Sequence, residues 1–163
     1  MASYVEPLAR AQAGVLTVEP IWGGMVQGMP QGLPQAGDRG LDNTPTRGRT
    51  YWGGALFCLL ADVEMRERTA NARGLQHALR AILDHGNMEI DSPLEPLLRI
   101  GDNAVGVPVL AGLYARMKDS PTPVDLDTLW RRLGVRLADQ AVVFDDAAPL
   151  AAVRRAITAP YSA

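Results

Sequence analysis

Tyr51 is the residue of this sequence best placed to do chemistry. It follows a Gly/Pro-rich stretch and precedes Trp52-Gly53-Gly54-Ala55-Leu56, at the head of a segment in which Tyr51 to Ala61 carry no charge. Asp62, Glu64, Arg66, Glu67 and Arg68 then arrive together. Apolar residues at 52, 55, 56, 59, 60 and 63 have helical spacing, which predicts one helix over 51–69 whose first half is buried all round and whose second half meets water. A tyrosine at the buried mouth of such a helix is a place where an active hydroxyl could be held. The plainer alternative is an amphipathic tyrosine that packs by its ring and keeps its hydroxyl in water.

The other reactive side chains read as structural. His77 and His85 lie two helical turns apart, whereas joint metal ligation from one helix needs i and i+4. Both read as surface histidines, His85 suited to a helix C-terminus. Asp62 with Arg66 and Glu64 with Arg68 have the spacing of helical ion pairs, expected to be solvated and weak. Asp145-Asp146 reads as a helix N-terminal cap. Cys58, the one cysteine, sits among Phe57, Leu59 and Leu60 and reads as a small buried hydrophobe. No Ser/His/Asp order, P-loop or dinucleotide fingerprint is present, and Gly23-Gly24 and Gly53-Gly54 are isolated pairs.

The elements that must position Tyr51 follow from periodicity and punctuation. Ser3 to Ala13 predicts a helix with Tyr4, Leu8 and Ala11 on one face and Gly14 as its stop. Thr17 can cap a second helix with Ile21, Trp22, Met25 and Val26, ended by Gly28. Residues 30–50 hold Pro30, Pro34, Pro45, Gly32, Gly37, Gly40 and Gly48, so regular structure is not expected. That stretch is either an irregular but ordered surface loop or a loop flanking a substrate cleft.

Further helices are predicted over 75–83, closed by Gly86, and from Ser92-Pro93-Leu94-Glu95 to Gly101. Others run from 107 to 118, from the Asp125 cap to Gly134, and from 147 to 158. Val135-Arg136-Leu137 and Val142-Val143-Phe144, separated by Asp139-Gln140, could form a small hairpin. The expected fold is mainly α, a compact orthogonal bundle of seven or eight helices in a single domain over 1–163, with a minor boundary near 121–124.

A chain of 163 residues with 47% hydrophobic and 21% charged content is of ordinary globular composition and long enough to bury a core. Its net charge of -2 offers no basic excess for phosphates, so nucleic acid is not an expected partner. No apolar run reaches the roughly 18 residues of a membrane span. No signal pattern opens the chain, and its compartment stays open.

The residues from Tyr51 to Leu56, with Leu59-Leu60-Ala61-Asp62-Val63-Glu64-Met65-Arg66-Glu67-Arg68-Thr69, Asn71 and Gly74-Leu75, resemble a segment of the glycyl aminopeptidase family of zinc peptidases. These are gluzincins with a thermolysin-like catalytic domain. In that family an aromatic-x-Lys-Gly-Ala-Leu segment opens a Leu-rich helix ending near Arg-x-Arg-Thr-Gly. Ser3-Tyr4-Val5-Glu6-Pro7 looks like the stretch after the family's third zinc ligand. Phe144 to Leu150, with Arg154-Arg155-Ala156-Ile157, is similar to the end of some bacterial members.

The resemblance implies that Tyr51 donates a hydrogen bond to the tetrahedral oxyanion of peptide hydrolysis, a donor whose loss typically costs about 10²–10³ in rate. It also implies that Trp52, Gly53 and Gly54 line the substrate cleft, and that Glu6 is a carboxylate behind the ligands or on the substrate side. Gly53 stands where the family commonly has lysine.

The family's His-Glu-x-x-His motif is absent, and its ligand glutamate would fall just before residue 1. The expectation is therefore a C-terminal half, inactive alone, with no cofactor of its own and with zinc held by upstream sequence. Its partner would be that upstream half or a second copy, through a face including Trp22, Met25 and residues 29–33. The rival expectation is a stand-alone helical interaction module with a covered surface.

Overall fold

One buried carboxylate ties three helices together. Asp62 accepts a hydrogen bond from the Tyr4 hydroxyl at 2.8 Å, one from Arg66 Nε at 2.8 Å and one from the Leu75 backbone N–H at 3.0 Å. Arg66 Nη2 donates in turn to Gln76 Oε1 at 2.7 Å. These contacts join α1 (Ala2–Gln12), α3 (Gly54–Arg68) and α4 (Leu75–Asp84). The structure is a computed structural model that describes residues 2–86 and 93–160.

The described residues form eight α-helices and one antiparallel hairpin, so the chain is mainly helical as its periodicity predicts. The remaining helices are α2 (Val18–Gly28), α5 (Leu94–Val105), α6 (Leu110–Met117), α7 (Leu126–Leu133) and α8 (Ala151–Thr158). Strands β1 (Val135–Ala138) and β2 (Ala141–Phe144) pair with Ala138 opposite Ala141, and Asp139 and Gln140 take φ of 50° and 66° in the two-residue turn. One hydrophobic core runs from Tyr4 and Trp22 through Leu56, Leu59 and Met65 to Leu133 and Ile157. No helix among the described residues is long and apolar enough to cross a membrane.

Several expectations change on contact with the tertiary structure. The Asp62–Arg66 pair is not solvated: both side chains are 3% exposed, while Glu64–Arg68 stays in water at 3.4 Å. The difference comes from α1 and the start of α4, which cover the Asp62 side of α3 and leave the Glu64 side open. Gly101 does not end α5. It lies inside the helix, where a Cβ would sit 2.9 Å from Leu110 Cδ1 and 3.0 Å from Ala78 Cβ, so its lack of a side chain lets α4 and α6 approach. Gly106, at φ 86°, is the stop. The Ser92 cap lies outside the described residues.

Two buried charges act at the ends of later helices, Asp102 at the start of α6 and Arg154 at the end of α7. The Asp102 carboxylate accepts from the backbone N–H groups of Val109, Leu110 and Ala111, so α6 is capped from α5 and begins at Leu110, not at 107. Arg154, 3% exposed, donates to the carbonyls of Leu133, Gly134 and Asp145 and pairs with Asp146. Asp145 closes a turn on the Ala147 N–H, and α8 starts only at Ala151, so Asp145-Asp146 is not a helix cap. Asp125 does cap α7, accepting from the Thr128 N–H at 2.9 Å. Cys58 is buried, and burial pushes its thiol up to about 11.

Asp62→Ala leaves Arg66 buried without its counter-charge and is expected to cost about 3–5 kcal/mol, whereas Glu64→Ala should cost under about 1 kcal/mol. Urea unfolding of the two variants decides this, and equal losses would sink the buried-carboxylate account. Burial, and then the Asp62 charge, hold the Tyr4 phenol well above its usual 10.0. A raised value in the folded state means its stabilisation is complete below about pH 10 and declines as pH rises past that point. Urea midpoints at about pH 9 and about pH 11 should therefore fall less for Tyr4→Phe than for the parent chain.

Candidate functional site

Tyr51 belongs to a single π-helical turn, Arg49–Gly53, that leads without a break into α3 at Gly54. Such turns are rare and occur frequently at functional sites. The turn is clamped from below by Arg49, which is 2% exposed. Its Nη1 donates to the Gly32 carbonyl at 2.5 Å and its Nη2 to Asp38 Oδ1 at 3.2 Å. Nε faces Asp38 Oδ2 at 2.6 Å as a charge contact, off the direction of a hydrogen bond.

The segment over 30–48 is therefore ordered by a buried ion pair. Its middle is fixed to the end of α6, with Leu41 N–H on the Met117 carbonyl at 2.8 Å and Asp42 N–H on that of Lys118 at 3.0 Å. The short 3₁₀ turn Met29–Gly32 lies directly against the π turn. A Cβ at Gly32 would come within 2.4 Å of the Trp52 carbonyl carbon, and one at Gly28 within 2.0 Å of the Trp52 ring. Only glycine permits this approach of two backbones.

The outcome is a hollow of about 240 Å³ lined by Ser3, Gln31, Arg47, Tyr51 and Trp52. Tyr51 is 55% exposed at its rim, whereas Ala55 and Leu56 just beyond it are fully buried. Trp52 is half-buried and forms the apolar wall against Gly28. Ser3, at the N-terminal end of α1, and Gln31 and Arg47, from the two ends of the proline-rich segment, complete the lining. The segment is thus ordered, and its two ends border the hollow.

The structure brings Tyr51 and Trp52 together with residues that periodicity did not single out. Gly53 is buried beneath Leu41, and Gly54 is the first residue of α3; neither lines the hollow. Glu6 points elsewhere, paired with Arg10 at 2.7 Å on the surface of α1. His77 accepts the Gly74 N–H on Nδ1 at 3.0 Å and so helps to start α4; burial lowers its pKa from 6.5. Among the described residues, no three His, Cys, Asp or Glu side chains form a group that could hold a metal ion.

A second cleft, of about 310 Å³, lies between α1 and α4 over Tyr4 and Asp62. Its polar floor is spent on holding the fold, since Asp62 already receives three donors. Trp22, Met25 and Met29, expected on an exposed face, are at 0%, 2% and 0% exposure. They are covered because the hairpin and α1 pack on α2, as the approach of Val142 to Gly23 indicates. The exposed large apolar side chains, among them Val15, Leu83 and Leu137, are scattered over separate elements.

Compared with family models, with curated proteins and with solved structures, the chain matches none.

Gly32→Ala should be the most damaging single methyl at this site, because it strikes backbone that cannot swing aside. A loss of about 1–3 kcal/mol is expected, with altered Trp52 fluorescence; Gly24→Ala, in open space inside α2, should leave the fluorescence unchanged and gain about 0.5–1 kcal/mol. An unperturbed Gly32→Ala variant would contradict the close packing of the two turns.

Proposed function

We propose that this chain is the C-terminal helical part of a glycyl aminopeptidase-like zinc peptidase and forms one wall of its substrate cleft. Tyr51 is the residue that acts: its neutral phenol donates a hydrogen bond to the oxyanion formed as a peptide carbonyl is attacked. The observation that carries this reading is the meeting of Ser3 and Tyr51 at one hollow. By the resemblance, the family's ligand glutamate falls just before residue 1, so the start of α1 and Tyr51 should face the same reacting group. They are distant in sequence and adjacent in the fold.

The π turn also supports the role, since it turns Tyr51 outward from a helix whose next residues are buried. The ion and the general base would be supplied by sequence upstream of Met1, and the chain alone would not hydrolyse peptides. A separate observation favours the rival reading of a stand-alone helical interaction module: Trp22, Met25 and Met29 are buried, so the face expected to pack on a catalytic half is already covered.

The coding frame before Met1 separates the two readings, since only the peptidase reading requires His-Glu-x-x-His and Glu-Gly there. In the protein translated from that longer frame, Tyr51→Phe should lower kcat by about 10²–10³ with KM nearly unchanged. Unaltered kcat would remove Tyr51 from the mechanism.

A further inference from the structure

The hollow around Tyr51 differs from the other clefts in what lines it. Among the described residues, the side chains of Ser3, Gln31, Arg47 and Tyr51 have no hydrogen-bond or ion-pair partner, and no carboxylate lines the hollow. The nearby acids are engaged elsewhere: Asp38 with Arg49 and Glu6 with Arg10. Among the described residues Arg47 is thus the one charged side chain that lines the hollow, and none of the other lining side chains compensates it. It precedes Tyr51 by four residues along one helical turn, so the two side chains rise from the same face, roughly 5–6 Å apart at Cβ.

We propose that this hollow is a carboxylate-binding site in which Arg47 takes the free C-terminal carboxylate of a short peptide. The guanidinium fork matches a carboxylate bidentately, the polar lining supplies further donors, and Trp52 offers an apolar wall. For the direction of the peptide, the inference rests on the reading of Tyr51 as oxyanion donor. With the reacting carbonyl at Tyr51 and roughly 3.5 Å of chain per residue, Arg47 reaches a carboxylate one or two residues further on. The substrate class is then dipeptides and tripeptides, and Arg47 discriminates them from longer or amidated chains.

The test uses the chain as it is, without turnover. Nα-acetylglycylglycine and its amide differ only in the carboxylate, and each is titrated while the Trp52 indole and Tyr51 ring signals are followed by NMR. The acid should give saturable shifts that weaken with salt, and the amide should give none. Arg47→Gln, at an exposed and unpaired position, should keep the parent melting temperature and weaken binding of the acid about tenfold or more. Equal shifts from acid and amide, no saturable shift, or an Arg47→Gln variant that binds as well as the parent would each overturn the carboxylate site. Those failures would leave the kcat test of Tyr51 intact. Conversely, acid-specific shifts beside an unaltered kcat in Tyr51→Phe would keep the anion site and remove only the oxyanion role.

Discussion

The Asp62 carboxylate is the constraint on which the rest of this structure depends. A charge that is 3% exposed must have its lone pairs filled, and here the partners come from three different helices. Tyr4 brings α1, Arg66 belongs to α3 itself, and the Leu75 N–H fixes where α4 begins. If α1 were displaced, the Tyr4 donor would be lost; if α4 shifted, the carboxylate would keep an empty lone pair in an apolar surrounding. Each hydrogen bond to such a charged group is worth about 1.5–3 kcal/mol, more than the packing of any one methylene.

The same device recurs at a distance from α3. Asp102 gathers three backbone donors at the head of α6, Arg154 gathers three carbonyls between α7 and α8, and Arg49 joins the Gly32 carbonyl to Asp38. Short helices with poor local caps leave free backbone groups at their ends. In this chain buried charges from neighbouring elements satisfy those groups and also set the angle at which the elements meet. The core supplies the driving force, and the charges select one arrangement of it.

This arrangement produces the hollow at Tyr51. Arg49 and Asp38 hold the proline-rich segment down, the glycines at 28 and 32 let it pass close to Trp52, and the π turn rotates Tyr51 out of the helix that follows. Because α1 is fixed through Tyr4 to Asp62, its first turn is delivered to the same place. The hollow is made where three short pieces of chain converge, and it has unspent donors because the fold's own acids are committed elsewhere.

The apolar period and the punctuation of the sequence determined the helices, the hairpin with its Asp139-Gln140 turn, the Asp125 cap and the burial of Tyr4, Leu8 and Cys58. Those features depend on neighbours a few residues away, so local pattern contains their physics. The place of Tyr51 at the head of an uncharged helix was legible for the same reason. The burial of Asp62 and Arg66 was not, because i, i+4 spacing is the same whether water or another helix lies over the pair. Gly101 reads as a stop until α6 is seen against it, and Asp102 and Arg154 act on residues that the local pattern does not connect to them. Arg47, Gln31 and Ser3 gain a meaning only beside Tyr51. What the tertiary structure decided is which charges lost their water and which kept it. Solvent exposure depends on the packing of distant segments, and no local spacing encodes that.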